Sequence, residues 1–121
     1  MKALILAAGE GTRLRPLTND LPKCLVPING QPLLGIWLHI LKGLGVTEVL
    51  VNLHWKAEQV REYVQRHGLG LKIHLSEEPR LLGTAGTLRA HREWLSDGED
   101  FWIIFADVLT SSDLKIGRAH V

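Results

Sequence analysis

The chain opens on a run of apolar residues, Lys2–Ala8 (KALILAA), that stops abruptly at Gly9–Glu10–Gly11. Its apolar positions are continuous rather than alternating, the pattern of a strand covered on both faces. Such strands belong to parallel sheets with helices on either side. The run is too short to span a bilayer. It reads as a buried first strand rather than as a signal peptide.

The remaining segments fit the same architecture. A loop from Gly9 to Gln31 carries Pro16, Pro22 and Pro27, which stiffen it into a shaped loop, and Asn29–Gly30 marks a turn. Pro32 suits the first turn of a helix whose apolar stripe includes Leu33, Trp37, Ile40 and Leu44, with Gly45 at the stop position. Thr47–Leu53 reads as a strand and Lys56–His67 as a helix ended by Gly68. Leu71, Ile73 and Leu75 alternate with Lys72 and His74, predicting a half-buried strand. Thr84–Leu95 reads as a further helix and Phe101–Ala106 as another buried strand ending at Asp107. Strands alternating with helices imply a mostly parallel sheet with right-handed crossovers. Ligands of such sheets bind beyond the carboxyl ends of the strands. Gly9–Arg15 and Asp107 both fall there and are expected to face one site.

Composition excludes more than it selects. A chain of 121 residues with 45% hydrophobic and 22% charged residues is one soluble domain at most. Its net charge of +1 gives no reason to expect nucleic acid or a membrane as partner. The single cysteine, Cys24, excludes an internal disulfide and suits a reducing cytoplasm. The six histidines show no metal-ligand spacing, and the four tryptophans fall at core positions.

Several short stretches could carry chemistry. GEGTRL at Gly9–Leu14 lacks the third glycine of a dinucleotide fingerprint and does not match a Walker A loop. Its glycines let backbone amides approach an anion, and Arg13 and Arg15 offer guanidinium forks to phosphate. An ordinary strand-to-loop turn is the other reading. Lys23, in PKCLVP, is either a solvated lysine or an ammonium held towards phosphate. Asp107 ends an apolar strand, where a carboxylate requires a cation or donors. It reads as a magnesium ligand or as a cap for the following residues, although Asp113 suits the cap better. In EEPRLLGTAGT, Glu77–Thr87, a helix starts between Gly83 and Gly86. Thr84 is there either a plain N-cap or part of a floor for a base and ribose.

Together these residues resemble the sugar-1-phosphate nucleotidyltransferases. The resemblance runs from MKALILAAGEGTRLRPLT through PKCLVPINGQPLL and LGTAG to the aspartate of FADVLTSSDL, roughly Met1–Leu114. It implies a Rossmann-like three-layer α/β/α fold with a mostly parallel sheet, of the nucleotide-diphospho-sugar transferase type, here incomplete. It also implies a cytoplasmic enzyme that makes an NDP-sugar and pyrophosphate from an NTP and a sugar 1-phosphate. By match to the family pattern, Ala8, Gly9, Gly11, Thr12 and Arg13 would cradle the nucleotide, and Arg13 would steady the leaving pyrophosphate. Lys23 would hold phosphate oxygens at the reacting centre, and Asp107 would bind Mg²⁺. Glu78, Gly83 and Thr84 would hold the base and ribose. Ala106 departs from the glycine or serine that often precedes the aspartate, which alters the loop but keeps the carboxylate.

Glu77 and Glu78 are acceptors, which suits the adjacent N–H donors of guanine better than the edge of uracil or thymine. The pattern also resembles the mannose-1-phosphate guanylyltransferase branch, so GTP and mannose 1-phosphate are the expected substrates. A thymidylyl- or uridylyltransferase, a nucleotide-binding fragment without turnover, and a regulatory subunit are the alternatives. Self-association into a homo-oligomer is left open.

The last residues, Lys115–Val121 (KIGRAHV), can be encoded by aagatcggaagagcacacgtctga, which closes on a stop codon. From agatcgg onward that string is a common sequencing-library adapter. The expectation is an N-terminal, nucleotide-binding part of a nucleotidyltransferase domain over residues 1–114, followed by a non-native tail over 115–121 on a truncated gene fragment.

Overall fold

The apolar runs assemble into one parallel sheet. The computed structural model describes residues 1–9, 16, 19–96 and 98–107. The elements are, in chain order, β1 (Lys2–Leu6), a one-turn 3₁₀ helix (Lys23–Leu25), β2 (Pro27–Ile28), β3 (Gln31–Pro32), α1 (Leu33–Gly43), β4 (Glu48–Leu53), α2 (Ala57–His67), β5 (Lys72–Glu77), α3 (Gly83–Ala90), α4 (Arg92–Leu95) and β6 (Phe101–Phe105). The main sheet has the order β5-β4-β1-β6, with every neighbouring pair parallel. β2 and β3 form a small antiparallel hairpin. Its turn residues Asn29 and Gly30 both have positive φ (51° and 81°), the requirement of a two-residue hairpin turn.

Residues paired across a parallel sheet share a face, so the register divides the core. Ala3, Ile5, Val49, Val51 and Ile104 lie on one face and pack with Leu34, Trp37, Leu38 and Leu41 of α1 and Ala57 and Val60 of α2. Leu4 and Leu50 lie on the other, under Leu88 of α3 and Trp94 and Leu95 of α4. Helices on both faces make this the expected three-layer α/β/α arrangement. α1 stops where expected: Gly45 follows the last turn with φ +87°, and its N–H bonds the Lys42 carbonyl. No helix among the described residues is long and apolar enough to cross a membrane.

Two expectations need correction. The helix expected over Thr84–Leu95 is two helices, broken at His91, whose backbone leaves the helical region (φ −114°, ψ 19°). The His91 ring bonds Ser76 Oγ at 2.9 Å, and Lys2 Nζ donates to the Trp94 carbonyl at 2.7 Å, tying the second piece to the sheet. The strand ending before Asp107 is not buried on both faces. In β6, Ile104 is buried, but Phe101, Ile103 and Phe105 alternate onto an exposed face. β6 is the edge of the sheet, and α3 and α4 lie over β1 and β4 rather than over it.

The topology also fixes where a ligand can enter. From β1 the chain steps through β4 to β5 in one direction, then returns to place β6 on the far side of β1. The connections therefore diverge between β1 and β6. In open α/β sheets the crevice at the carboxyl ends of such a pair is the usual ligand site.

Candidate active site

The crevice between β1 and β6 carries a small pocket of about 100 Å³, lined by Leu6, Ala7, Gly9, Lys23, Cys24, Ala106 and Asp107. The Ala106 N–H bonds the Leu6 carbonyl at 3.2 Å, so pairing continues past the last residue of β6 and delivers Asp107 to the rim. Lys23 arrives from the long loop. Its 3₁₀ turn is closed by Leu25 N–H to the Pro22 carbonyl at 2.9 Å, and Cys24 and Leu25 are buried beneath it. That anchorage leaves the Lys23 side chain pointing back over the sheet. Its Nζ donates to Asp107 Oδ2 at 2.8 Å. The bond holds the Asp107 carboxyl below its ordinary value, against a smaller opposing effect of desolvation. Burial pushes the neighbouring Cys24 thiol up to about 12, so it packs as an inert group rather than a nucleophile.

A second pocket of about 200 Å³ adjoins the first and shares Leu6 and Gly9 with it. Ala8 and Gly9 line it from the segment after β1, Asn52 from β4, and Glu78, Leu81, Gly83 and Thr84 from the segment between β5 and α3 and the start of α3. Gly83 has φ +74°, and a Cβ there would meet nothing within 4 Å, so the backbone conformation itself calls for glycine. Gly86 has a different reason: its Cβ would stand 2.9 Å from the Leu82 Cβ. Thr84 is not the N-cap of α3. That position belongs to Leu82, without a side-chain capping bond.

The acidic pair sits differently from the expectation of free acceptors for a base edge. Glu77 bonds Arg61 Nη2 at 2.7 Å. Glu78 is 3% exposed. Its Oε2 accepts from Thr87 Oγ1 (2.6 Å) and Asn52 Nδ2 (3.2 Å), and its Oε1 from the Leu82 N–H (3.3 Å). Asn52 and Thr87 were not singled out from the sequence. Asn52 had a signal: it is the one uncharged polar residue in the buried run EVLVNL, and a buried amide needs partners.

Gly11, Thr12, Arg13 and Arg15 lie outside the described residues, as do Asp113 and the segment 115–121. No group of three or more His, Cys, Asp or Glu side chains suited to a metal occurs among the described residues. Among the described residues Asp107 is the one carboxylate lining this pocket. Such a group fits a hard cation shared with substrate phosphates and water, rather than one caged by protein.

The family model described as "Nucleotidyl transferase" matches residues 2–118. The chain belongs to the nucleotidyl transferase family. Among similar family members, probable mannose-1-phosphate guanylyltransferase 1 of Oryza sativa subsp. japonica is 41% identical over 114 residues, 91% of this chain and 32% of the relative. The crystal structure of HddC from Yersinia pseudotuberculosis complexed with GMP-PN superposes with a TM-score of 0.84 at 28% identity, covering 98% of this chain and 53% of that one. CTP:phosphocholine cytidylyltransferase from Streptococcus pneumoniae is 32% identical with a TM-score of 0.74, covering 88% and 44%. The chain spans about a third of the length of the plant mannose-1-phosphate guanylyltransferases it matches. These neighbours share the nucleotide-diphospho-sugar transferase fold.

Proposed function

We propose that this chain carries the nucleotide-binding part of a sugar-1-phosphate nucleotidyltransferase, with GTP and mannose 1-phosphate as substrates. The observation that carries the reading is the meeting of Gly9, Lys23 and Asp107 in one pocket at the switch point of the sheet. In the reaction, an oxygen of the sugar phosphate forms a bond to the α-phosphorus of the NTP. The bond from that phosphorus to the bridging oxygen breaks, and pyrophosphate leaves. Nothing in this displacement needs a covalent enzyme intermediate, so the protein's work is positioning and charge neutralisation.

The residues divide that work. The amides around Ala8, Gly9, Gly11 and Thr12 receive the triphosphate, and Arg13 offers a guanidinium to the departing pyrophosphate. Lys23 places its ammonium by the reacting phosphate, a role its 3₁₀ anchorage suits. Asp107 would hold Mg²⁺, which supplies positive charge against the phosphates when bound. Gly83 and Thr84, across the adjoining pocket, take the base and ribose. The choice of GTP and mannose 1-phosphate rests on the names of the relatives rather than on Glu77 and Glu78, whose carboxylates bond within the protein.

Pyrophosphate release on mixing the chain with Mg²⁺, GTP and mannose 1-phosphate tests the proposal. GTP should outperform UTP, CTP and dTTP. Equal turnover with UTP or dTTP overturns the base assignment. GTP binding without pyrophosphate release limits the chain to nucleotide binding.

A further inference from the structure

Asn52, Glu78 and Thr87 are the only polar or charged residues among the described ones that are buried, at 4%, 3% and 0% exposure. Asn52 comes from β4, Thr87 from α3 and Glu78 from the first residue after β5, and they bond one another. Thr87 Oγ1 donates to Glu78 Oε2, while Asn52 Nδ2 donates to both Glu78 Oε2 and Thr87 Oγ1 at 3.2 and 3.3 Å. The cluster then reaches out through two backbone amides. Asn52 Oδ1 accepts the Ala7 N–H at 2.6 Å, and Glu78 Oε1 accepts the Leu82 N–H at 3.3 Å. Ala7 immediately precedes Ala8 and Gly9, one wall of the larger pocket. Leu82 immediately precedes Gly83 and Thr84, a second wall segment of the same pocket.

We propose that Glu78 is a positioning residue that, through Asn52 and Thr87, holds the two walls of the nucleotide pocket in register. The proposal rests on the nucleotide reading given above. Burying a carboxylate costs several kcal/mol unless its hydrogen bonds are complete, and well-packed apolar side chains often stabilise as much. Stability alone therefore gives little reason for a charged group here, whereas linking two loop backbones does.

The donors also dictate the chemistry at position 78. Backbone N–H groups only donate, so the Asn52 oxygen must face Ala7 and its NH₂ must face the cluster. Thr87 has a single hydrogen and gives it to Glu78, which leaves its lone pairs for Asn52. Three donors thus converge on Glu78, and only a carboxylate meets all three without presenting a hydrogen of its own. Its backbone is fixed as well: Glu78 N–H bonds the Leu53 carbonyl at 2.7 Å, and the His54 ring lies 2.6 Å from the Glu78 carbonyl.

The test combines amide hydrogen exchange with GTP binding in the presence of Mg²⁺, for wild type, Glu78→Gln, Thr87→Val and Thr87→Ser. Thr87→Val keeps the side-chain shape and serves if Glu78→Gln does not fold. Glu78→Gln and Thr87→Val should speed exchange of both Ala7 and Leu82 amides about tenfold or more and weaken GTP binding about tenfold. Core amides such as Val51 should be unchanged, and Thr87→Ser should behave as wild type. Ala7 and Leu82 exchange that stays at the wild-type rate, or rises only in step with Val51, overturns the positioning role. So does wild-type GTP affinity in a variant whose two amides are loosened. A wild-type chain that binds no nucleotide but shows the coupled exchange overturns the nucleotide reading and leaves the coupling of the two walls intact.

Discussion

Lys23 and Asp107 stand 84 residues apart in sequence and 2.8 Å apart in space. Each is delivered by a separate device: a proline-preceded 3₁₀ turn for the lysine, and continued pairing of β6 with β1 for the aspartate. The pair lies at the rim, with side chains 28% and 43% exposed, so solvent screens it and its contribution to stability is small. It places two opposite charges together at the carboxyl end of the sheet, where the proposed function needs them.

The pair makes a pH prediction. The Lys23 hydrogen bond lowers the Asp107 carboxyl from its ordinary 3.8. A depressed carboxyl contributes its stabilisation fully above the unfolded value and loses it as pH falls through the lower folded one. The Asp107 side-chain carboxyl signal, followed by NMR, should titrate below 3.8 in the wild type and move upward in Lys23→Met. A midpoint that does not move would show that the pair does not persist in solution. Substitution by Asp107→Asn should in turn lower the Mg²⁺-dependent pyrophosphate release by about 10²-fold or more, on the scale of lost charge stabilisation in other active sites.

Cys24 lies in the wall of the same pocket and is 1% exposed. With its thiol pushed up to about 12, it holds almost no thiolate at neutral pH. Alkylation by iodoacetamide at pH 8, followed by mass spectrometry, should be slow for the folded chain and rapid in denaturant. Rapid labelling under native conditions would mean that the 3₁₀ turn does not stay seated.

Gly35 and Gly83 separate two reasons for glycine. A Cβ on Gly35 would collide with the Tyr63 hydroxyl, so Gly35→Ala should cost about 1–3 kcal/mol by overpacking, measured by denaturant unfolding. Tyr63→Phe should recover part of that loss. Gly83 has open space around it but φ +74°, so Gly83→Ala should cost about 1–2 kcal/mol that no neighbouring truncation recovers.

β6 presents Phe101, Ile103 and Phe105 to solvent at 37%, 38% and 51% exposure on an edge strand. An apolar row on a strand with no second partner among the described residues favours association. Concentration-dependent self-association in size-exclusion chromatography is the expected outcome, reduced by Ile103→Thr with Phe105→Lys. A monomer at all concentrations in the unsubstituted chain would count against it.

The elements that the sequence made legible are those where one physical signal dominates. The continuous run before Gly9, the apolar stripe from Leu33 to Leu41, the Asn29–Gly30 turn and the Gly45 stop all appear where patterning places them. The misreadings come from tertiary context. FWIIFA is as apolar as a central strand, and nothing within it tells that β6 sits at an edge. The break at His91 accompanies contacts with the sheet, His91 to Ser76 of β5 and Trp94 to Lys2 of β1, that the local pattern does not reveal. The buried cluster was half hidden for the same reason: Glu78 was visible as a carboxylate, but its partners Asn52 and Thr87 lie 26 and 9 residues away. Only the fold brings them to it.

The strand order has a consequence for how the molecule is made. β1 is flanked by β4 and β6, so the first of the described strands in chain order must wait for both neighbours. Its second edge stays open until Phe105 has emerged, and the Lys23–Asp107 pair cannot form before Asp107 follows. Pairings between distant parts of a chain are slow to close. The β1–β6 pairing therefore spans the greatest sequence separation among the described strands, and the crevice between them exists only once that pairing has closed.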